Sequence, residues 1–201
     1  MPYSDVPGFV GRLRSSDSVT ALALEFTILT AARTGEVLRS IRQNQVMGAR
    51  WDEIDFETKV WTVPSVRMKA GVDHRVPLTG RLVAILKQVT PLRRKDGFIF
   101  PGKRAGHPLS EMSLLMLLRR MKIDDATVHG FRSSFRDWAG EETNFPRELA
   151  EEALSHTVGN SVERAYRRGD ALEKRRALMT AWAGYCDPSA SGNVVPLTKR
   201  A

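Results

Sequence analysis

Lys59-Val60-Trp61-Thr62-Val63-Pro64, followed after a short basic stretch by His74-Arg75-Val76-Pro77-Leu78, decides the fold class of this chain. Both segments are rich in β-branched and aromatic residues, which suit a pleated surface packed on a core. Between them, Arg67-Met68-Lys69-Ala70-Gly71-Val72-Asp73 supplies a glycine for the turn and cations for its tip. The stretch reads as a β-hairpin with a basic tip. A short strand around Trp51 to Phe56 would complete a three-stranded antiparallel sheet.

Around this hairpin the pattern is helical. Ser18 to Ala32 opens on Ser/Asp capping residues and carries Leu22, Leu24, Phe26, Ile28 and Leu29. Further helices are expected near 79–89, 110–122, 130–142, 146–155 and 171–185, with Pro146 suited to a first helical turn. Asp187 to Ala201, holding Pro188, Ser189, Ser191, Gly192 and Asn193, reads as a mobile tail. The expected fold is mainly α with a small three-stranded antiparallel β-sheet.

Composition narrows the class. The chain has 201 residues, 42% of them hydrophobic and 27% charged, enough for one domain with a real core. No apolar run approaches the roughly 20 residues that span a bilayer, so no membrane association is expected. Met1-Pro2-Tyr3-Ser4-Asp5 lacks the basic and apolar regions of a secretory signal. A single cysteine, Cys186, suits a reducing cytoplasm, and with only four histidines it argues against a structural zinc site. Lys plus Arg number 31 against 23 acids, a net charge of +8 that favours a polyanionic partner. The cations cluster at Arg93-Arg94-Lys95, Lys103-Arg104, Arg119-Arg120 with Lys122, Arg167-Arg168 and Lys174-Arg175-Arg176. Any one cluster reads more readily as a solvated face than as a nucleic-acid contact; together they make nucleic acid the leading partner.

Four segments carry candidate chemistry: Ala32-Arg33-Thr34-Gly35-Glu36, the hairpin tip with Lys69, His129-Gly130-Phe131-Arg132, and Leu154-Ser155-His156 through Tyr166. Their order, with His156 ten positions before Tyr166, resembles the signature of the tyrosine recombinase family, the phage-type integrases. His129-Gly-Phe-Arg-Ser-Ser-Phe-Arg-Asp-Trp-Ala139 and His156-Thr-Val-Gly-Asn-Ser-Val-Glu-Arg-Ala-Tyr-Arg-Arg168 are most similar to integrases of satellite prophages and genomic islands. The resemblance runs from near the start to about Cys186. It implies a catalytic domain over 1–186 that acts on double-stranded DNA, forms a tetrameric synapse of identical subunits, and needs no cofactor and no metal.

The chemistry explains the residue types. Attack on a phosphodiester needs charge on the non-bridging oxygens, an in-line oxygen nucleophile and a proton for the leaving sugar oxygen. Arg33 and Arg132 suit the first task, since a guanidinium stays charged and grips phosphate with a two-pronged fork. Glu36, three residues beyond Arg33, is placed to orient it. His129 and Arg132 share a helical face, and His129 reads as a general acid-base group or phosphate donor. The resemblance implies that Tyr166 is the nucleophile, leaving a 3′-phosphotyrosine and a free 5′-hydroxyl. It further implies that His156 donates to the phosphate and that Lys69 protonates the leaving 5′-oxygen. Tyr166 needs help to lose its proton, since an unperturbed phenol titrates near ~10.

Two departures qualify the match. Integrases of this branch carry an arm-binding and a core-binding domain ahead of this region, and neither is expected within these residues, as in an excised or truncated catalytic domain. After Leu38, relatives pass quickly to a Gly-Ala-Arg-Trp-like strand start, present here as Gly48-Ala49-Arg50-Trp51, so Arg39 to Met47 reads as an insertion of about nine residues. The competing reading is a catalytically impaired, DNA-binding remnant. A metal-dependent nuclease would want clustered carboxylates, and Asp52, Glu53, Asp55 and Glu57 form the one dense group. These flank a strand, as surface acids do. Type IB topoisomerases share the nucleophile logic, but the phrasing from His156 to Tyr166 matches integrases better.

Overall fold

Helix α2 (Val19–Thr30) is the axis of the structure, a computed structural model that describes residues 1–38, 48–156, 171–187 and 189. Ser18 caps it by accepting from the Ala21 amide, and every residue from Ala21 to Thr30 is buried. A helix apolar all round must be enclosed. Around it pack α1 (Val6–Arg14), α4 (Gly80–Val89), α5 (Glu111–Arg120) and α8 (Leu172–Tyr185), while the short α3 (Thr34–Leu38) follows it directly. Helices α6 (Gly130–Glu141) and α7 (Arg147–Ala153) pack on each other, and α8 covers α7. No helix among the described residues is long and apolar enough to cross a membrane.

The expected sheet is present, mainly as expected. Strands β1 (Ile54–Asp55), β2 (Val60–Val63) and β3 (His74–Pro77) pair antiparallel in that order, with Ile54 opposite Trp61 and Val63 opposite His74. Trp61, fully buried, meets Phe26 of α2 edge-on at 5.4 Å between ring centroids, which seats the sheet on the helical core. The expected strand over Trp51 to Phe56 is reduced to β1, because Trp51–Glu53 forms a 3-10 turn. The cause is Glu53, whose carboxylate accepts from the Arg50 amide at 3.1 Å and from Trp61 Nε1 at 3.0 Å. Glu53 is thus a structural acid and not one of a row of solvated carboxylates.

The hairpin tip also departs from the simple reading. Arg67 turns inward, 8% exposed, to pair with Glu53 at 2.5 Å and to donate to the Gly48 carbonyl. Asp73 accepts from the Ser65 amide at 2.7 Å and draws the base of the loop together, while Gly71 takes the positive φ of 66° that a side chain resists. Lys69 is left as the exposed cation of the tip.

Trp182 of α8 joins the two helices that flank the site. Its ring lies 5.5 Å from Phe135 and 5.0 Å from Trp138, both on α6, and its Nε1 donates to the Ile28 carbonyl of α2 at 3.0 Å. Trp182→Ala should cost about 3–5 kcal/mol through lost burial and the cavity left behind. Urea denaturation measures this, and a loss below about 1 kcal/mol would contradict the packing described.

Candidate active site

The site is organised by the end of α7. Ser155 adopts a left-handed conformation (φ 52°), the His156 amide donates back to the Glu151 carbonyl at 2.9 Å and the Ser155 amide to the Glu152 carbonyl at 3.0 Å. This is a Schellman cap, which satisfies the carbonyls one turn inside the helix. It leaves the carbonyls of Leu154 and Ser155 facing other elements. Leu154 accepts from Arg132 Nη2 of α6 at 2.6 Å, and Ser155 from Arg33 Nη2 at 3.4 Å. Two segments far apart in the chain thus converge on one helix end, where carbonyl dipoles favour cationic and N–H donors.

Arg33 sits at the junction of α2 and α3. Ala31, at φ 50°, breaks α2, and Glu36 accepts from both the Arg33 amide at 2.9 Å and Arg33 Nη1 at 2.8 Å. The 3% exposed Glu36 therefore caps the short helix and fixes the guanidinium together. Arg132, 5% exposed, donates through Nη1 to the Ala31 carbonyl, so the two arginines are anchored to adjacent points of the same turn. Burial first, and then the charge of Arg33, push the Arg132 guanidinium down to about 10, so it stays charged at neutral pH.

His156 lies beside this pair, its Nε2 at 3.3 Å from Arg132 Nη2 and its Nδ1 at 2.5 Å from Glu151 Oε2. A carboxylate only accepts, so Glu151 holds the hydrogen on Nδ1 and turns Nε2 toward Arg132. His129 is exposed at the start of α6, and burial of part of its ring, followed by the charges of Arg132, Arg33 and His156, lowers its imidazole below the ordinary value. Lys69, Ala70, Arg33, Ser155 and His156 line one recess of about 300 Å³. The hairpin tip thus meets the helix end. Tyr166 lies outside the described residues, as do 39–47 and Arg167-Arg168.

Two residues of this constellation escaped the sequence reading. Glu151 is five positions from His156 across a helix end, a spacing that no helical-face rule brings together; only the cap does. His74 reads as a strand residue, yet it is half-buried, and partial burial together with the Arg175 charge pushes it down to about 4. One basic cluster also needs revision. Arg175 is 1% exposed and donates to the Arg75 carbonyl at 2.6 Å, while Arg176 binds the Thr58 and Lys59 carbonyls. Both hold α8 to the sheet. Among the described residues, no three His, Cys, Asp or Glu side chains gather where they could share a metal ion.

Comparison with known proteins identifies the family. The sequence profile of the Phage integrase family matches residues 9–173. The prophage integrase IntA of Escherichia coli (strain K12) is 38% identical over 162 residues, covering 80% of this chain and 39% of the relative. The integrase of Enterobacteria phage P4 is 31% identical, covering 93% of this chain and 45% of the relative, and the prophage integrase IntZ of Escherichia coli (strain K12) is 32% identical, covering 98% and 47%. The chain spans less than half the length of each of these three relatives. With the profile running through α1 to the start of α8 and across every site residue described above, the chain belongs to the phage integrase family.

Proposed function

We propose that this chain is the strand-cleaving and rejoining part of a site-specific recombinase that integrates or excises a mobile element. The observation that carries the reading is the convergence of Arg33, His156 and Lys69 at one recess on the end of α7, with Arg132 Nη2 3.3 Å from His156 Nε2. Two guanidiniums and an imidazole pointed at one place fit a phosphodiester with charge building on its non-bridging oxygens. The family membership and the integrase names of its relatives support the same reading.

In this mechanism the Tyr166 oxygen attacks phosphorus, and the 5′-oxygen of the next nucleotide leaves with a proton from Lys69. His129 takes the phenolic proton. A 3′-phosphotyrosine and a free 5′-hydroxyl result. The number of phosphoester bonds is unchanged, so attack by another 5′-hydroxyl reverses the step without an energy source. Arg33 and Arg132 stabilise the pentacoordinate state, and Glu36 and the α7 carbonyls hold them in place. Double-stranded DNA is the partner, and four copies acting together on two duplexes would complete a strand exchange.

A nicked duplex spanning the junction between the mobile element and its flanking DNA traps the covalent state. Tyr166→Phe should abolish the adduct while leaving duplex binding within about twofold, because the grip comes from phosphate contacts. Equal adduct from the mutant would remove Tyr166 from its role. Binding without any adduct by the unmodified chain would favour the impaired remnant. Adduct formation should persist in EDTA, since side-chain cations supply the charge at phosphorus; loss on chelation with recovery on adding magnesium would refute that.

The pH profile has a defined sign. His129 is held below its ordinary value, so it is neutral at pH 7 and takes up a proton only on the acid side. As the acceptor of the phenolic proton it must be neutral. The adduct rate should therefore fall as pH drops, with the inflection below about 6.5, and His129→Gln should lose that inflection. An inflection that survives the substitution would assign the acid limb to another group.

A further inference from the structure

We infer that His156 takes up a proton when a phosphate displaces it from Arg132, and that Glu151 is the positioning residue for that uptake; this rests on the phosphodiester-binding reading given above. Arg132 Nη2 directs its hydrogens at the Leu154 carbonyl, at 2.6 Å, and at His156 Nε2, at 3.3 Å. A guanidinium only donates, so Nε2 meets it with a lone pair. Glu151 Oε2, 2.5 Å from Nδ1, accepts the ring hydrogen on the other side. In this arrangement the imidazole is neutral, with its proton on Nδ1. Such a ring has no hydrogen left to offer a phosphate oxygen.

A phosphate oxygen seated against Arg132 competes for the hydrogen that Nε2 accepts. Once it takes that hydrogen, the Nε2 lone pair faces an anion and is repelled. One proton from solvent on Nε2 turns the repulsion into a charge-assisted N–H to phosphate hydrogen bond. The ring gains one proton and one positive charge, and no covalent bond breaks. Nδ1–H keeps its bond to Glu151, so the cation stands between two anions. The neighbouring cations oppose this: Arg132 of α6, and Arg33 and Lys69, which line the same recess. His129, at the start of α6, also feels the His156 charge. Against them stands the Glu151 carboxylate, in direct contact with the ring. Arg147 lies 3.9 Å from its other oxygen but is 86% exposed, so water screens most of that pairing. Glu151 touches the imidazole and not the phosphate, and it acts through His156.

The test is titration calorimetry of the full chain carrying Tyr166→Phe with the intact junction duplex at neutral pH. Comparing two buffers of unequal ionisation enthalpy reads the protons taken up on binding. Uptake of a fraction of a proton is expected. His156→Asn should abolish it, and so should a neutral methylphosphonate at the scissile position, whereas His129→Gln should retain it. Glu151→Gln keeps the bulk and an oxygen acceptor for Nδ1–H but not the charge. It should cut the uptake roughly threefold or more, the effect of removing an opposite charge in contact. Nitrogen chemical shifts of the unmodified chain need no variant and serve if Glu151→Gln fails to fold. They should place the His156 proton on Nδ1 in the free chain at mildly alkaline pH, and on both nitrogens when the duplex is bound at neutral pH. The proposal is overturned by any of four results: no uptake, uptake that survives His156→Asn or the methylphosphonate, uptake unaltered by Glu151→Gln, or a free ring protonated on Nε2. A Tyr166-dependent adduct on the nicked duplex would leave the phosphodiester reading standing beside any of these. Its absence would remove that reading and the inference with it.

Discussion

Two backbone carbonyls at the end of α7, those of Leu154 and Ser155, hold the two arginines of the site together. A helix always ends with carbonyls that lack intrahelical partners. Here the Schellman cap satisfies those of Glu151 and Glu152, and those of Leu154 and Ser155 accept from α6 and the α2–α3 junction. The consequence is geometric economy. Segments separated by up to 122 positions in the chain are referenced to the same few atoms, so an error in one does not accumulate through the others. The cap tolerates a serine at φ 52°, a conformation that glycine adopts without strain, and this local cost of about 1–3 kcal/mol is offset by the tertiary bonds that depend on it.

The same arrangement answers an electrostatic difficulty. Arg33 and Arg132 are close enough for the charge of one to bear on the other, and Arg132 is buried as well. Both are kept charged by different means. Arg33 is paired with a buried carboxylate, Glu36, at 2.8 Å, whereas the hydrogen bonds of Arg132 among the described residues go to the Ala31 and Leu154 carbonyls and to His156 Nε2. Dipoles orient a cation without cancelling its charge. Helix α2 carries one arginine just beyond its end, α6 carries the other in its first turn, and Trp182 packs between the two helices.

Local signals in the sequence make much of this arrangement legible. The alternation and composition of 59–78 yield the sheet, Ser18 and the apolar run after it yield α2, and the spaced arginines and histidines mark the recess. The remainder depends on contacts that local pattern does not encode. Helix α1 buries Val6, Phe9, Val10 and Leu13 at helical spacing, but Pro7, Gly8 and Gly11 mask its propensity, and tertiary packing overrides them. Arg67 and Arg175 read as surface cations because charge predicts exposure; each is buried because a carboxylate or a carbonyl waits inside the fold. Glu151 and His74 belong to the site only through the folded chain. For Tyr166, and for the segment 39–47, the sequence reading stands beside no described geometry.

The dipolar environment of Arg132 has a thermodynamic corollary. A buried charge held by the Ala31 and Leu154 carbonyls and by His156 Nε2 is less well solvated than one in water, so the folded chain carries a local destabilisation that an anion can relieve. Whatever seats an anionic oxygen against that guanidinium therefore binds the folded state and not the unfolded one, and the two equilibria become linked. A ligand present at a hundred times its dissociation constant raises unfolding free energy by about 2.7 kcal/mol, a sizeable part of the roughly 5–15 kcal/mol that holds a domain folded. An anionic ligand would then act as a folding ligand, with the domain at its most rigid when that ligand is bound.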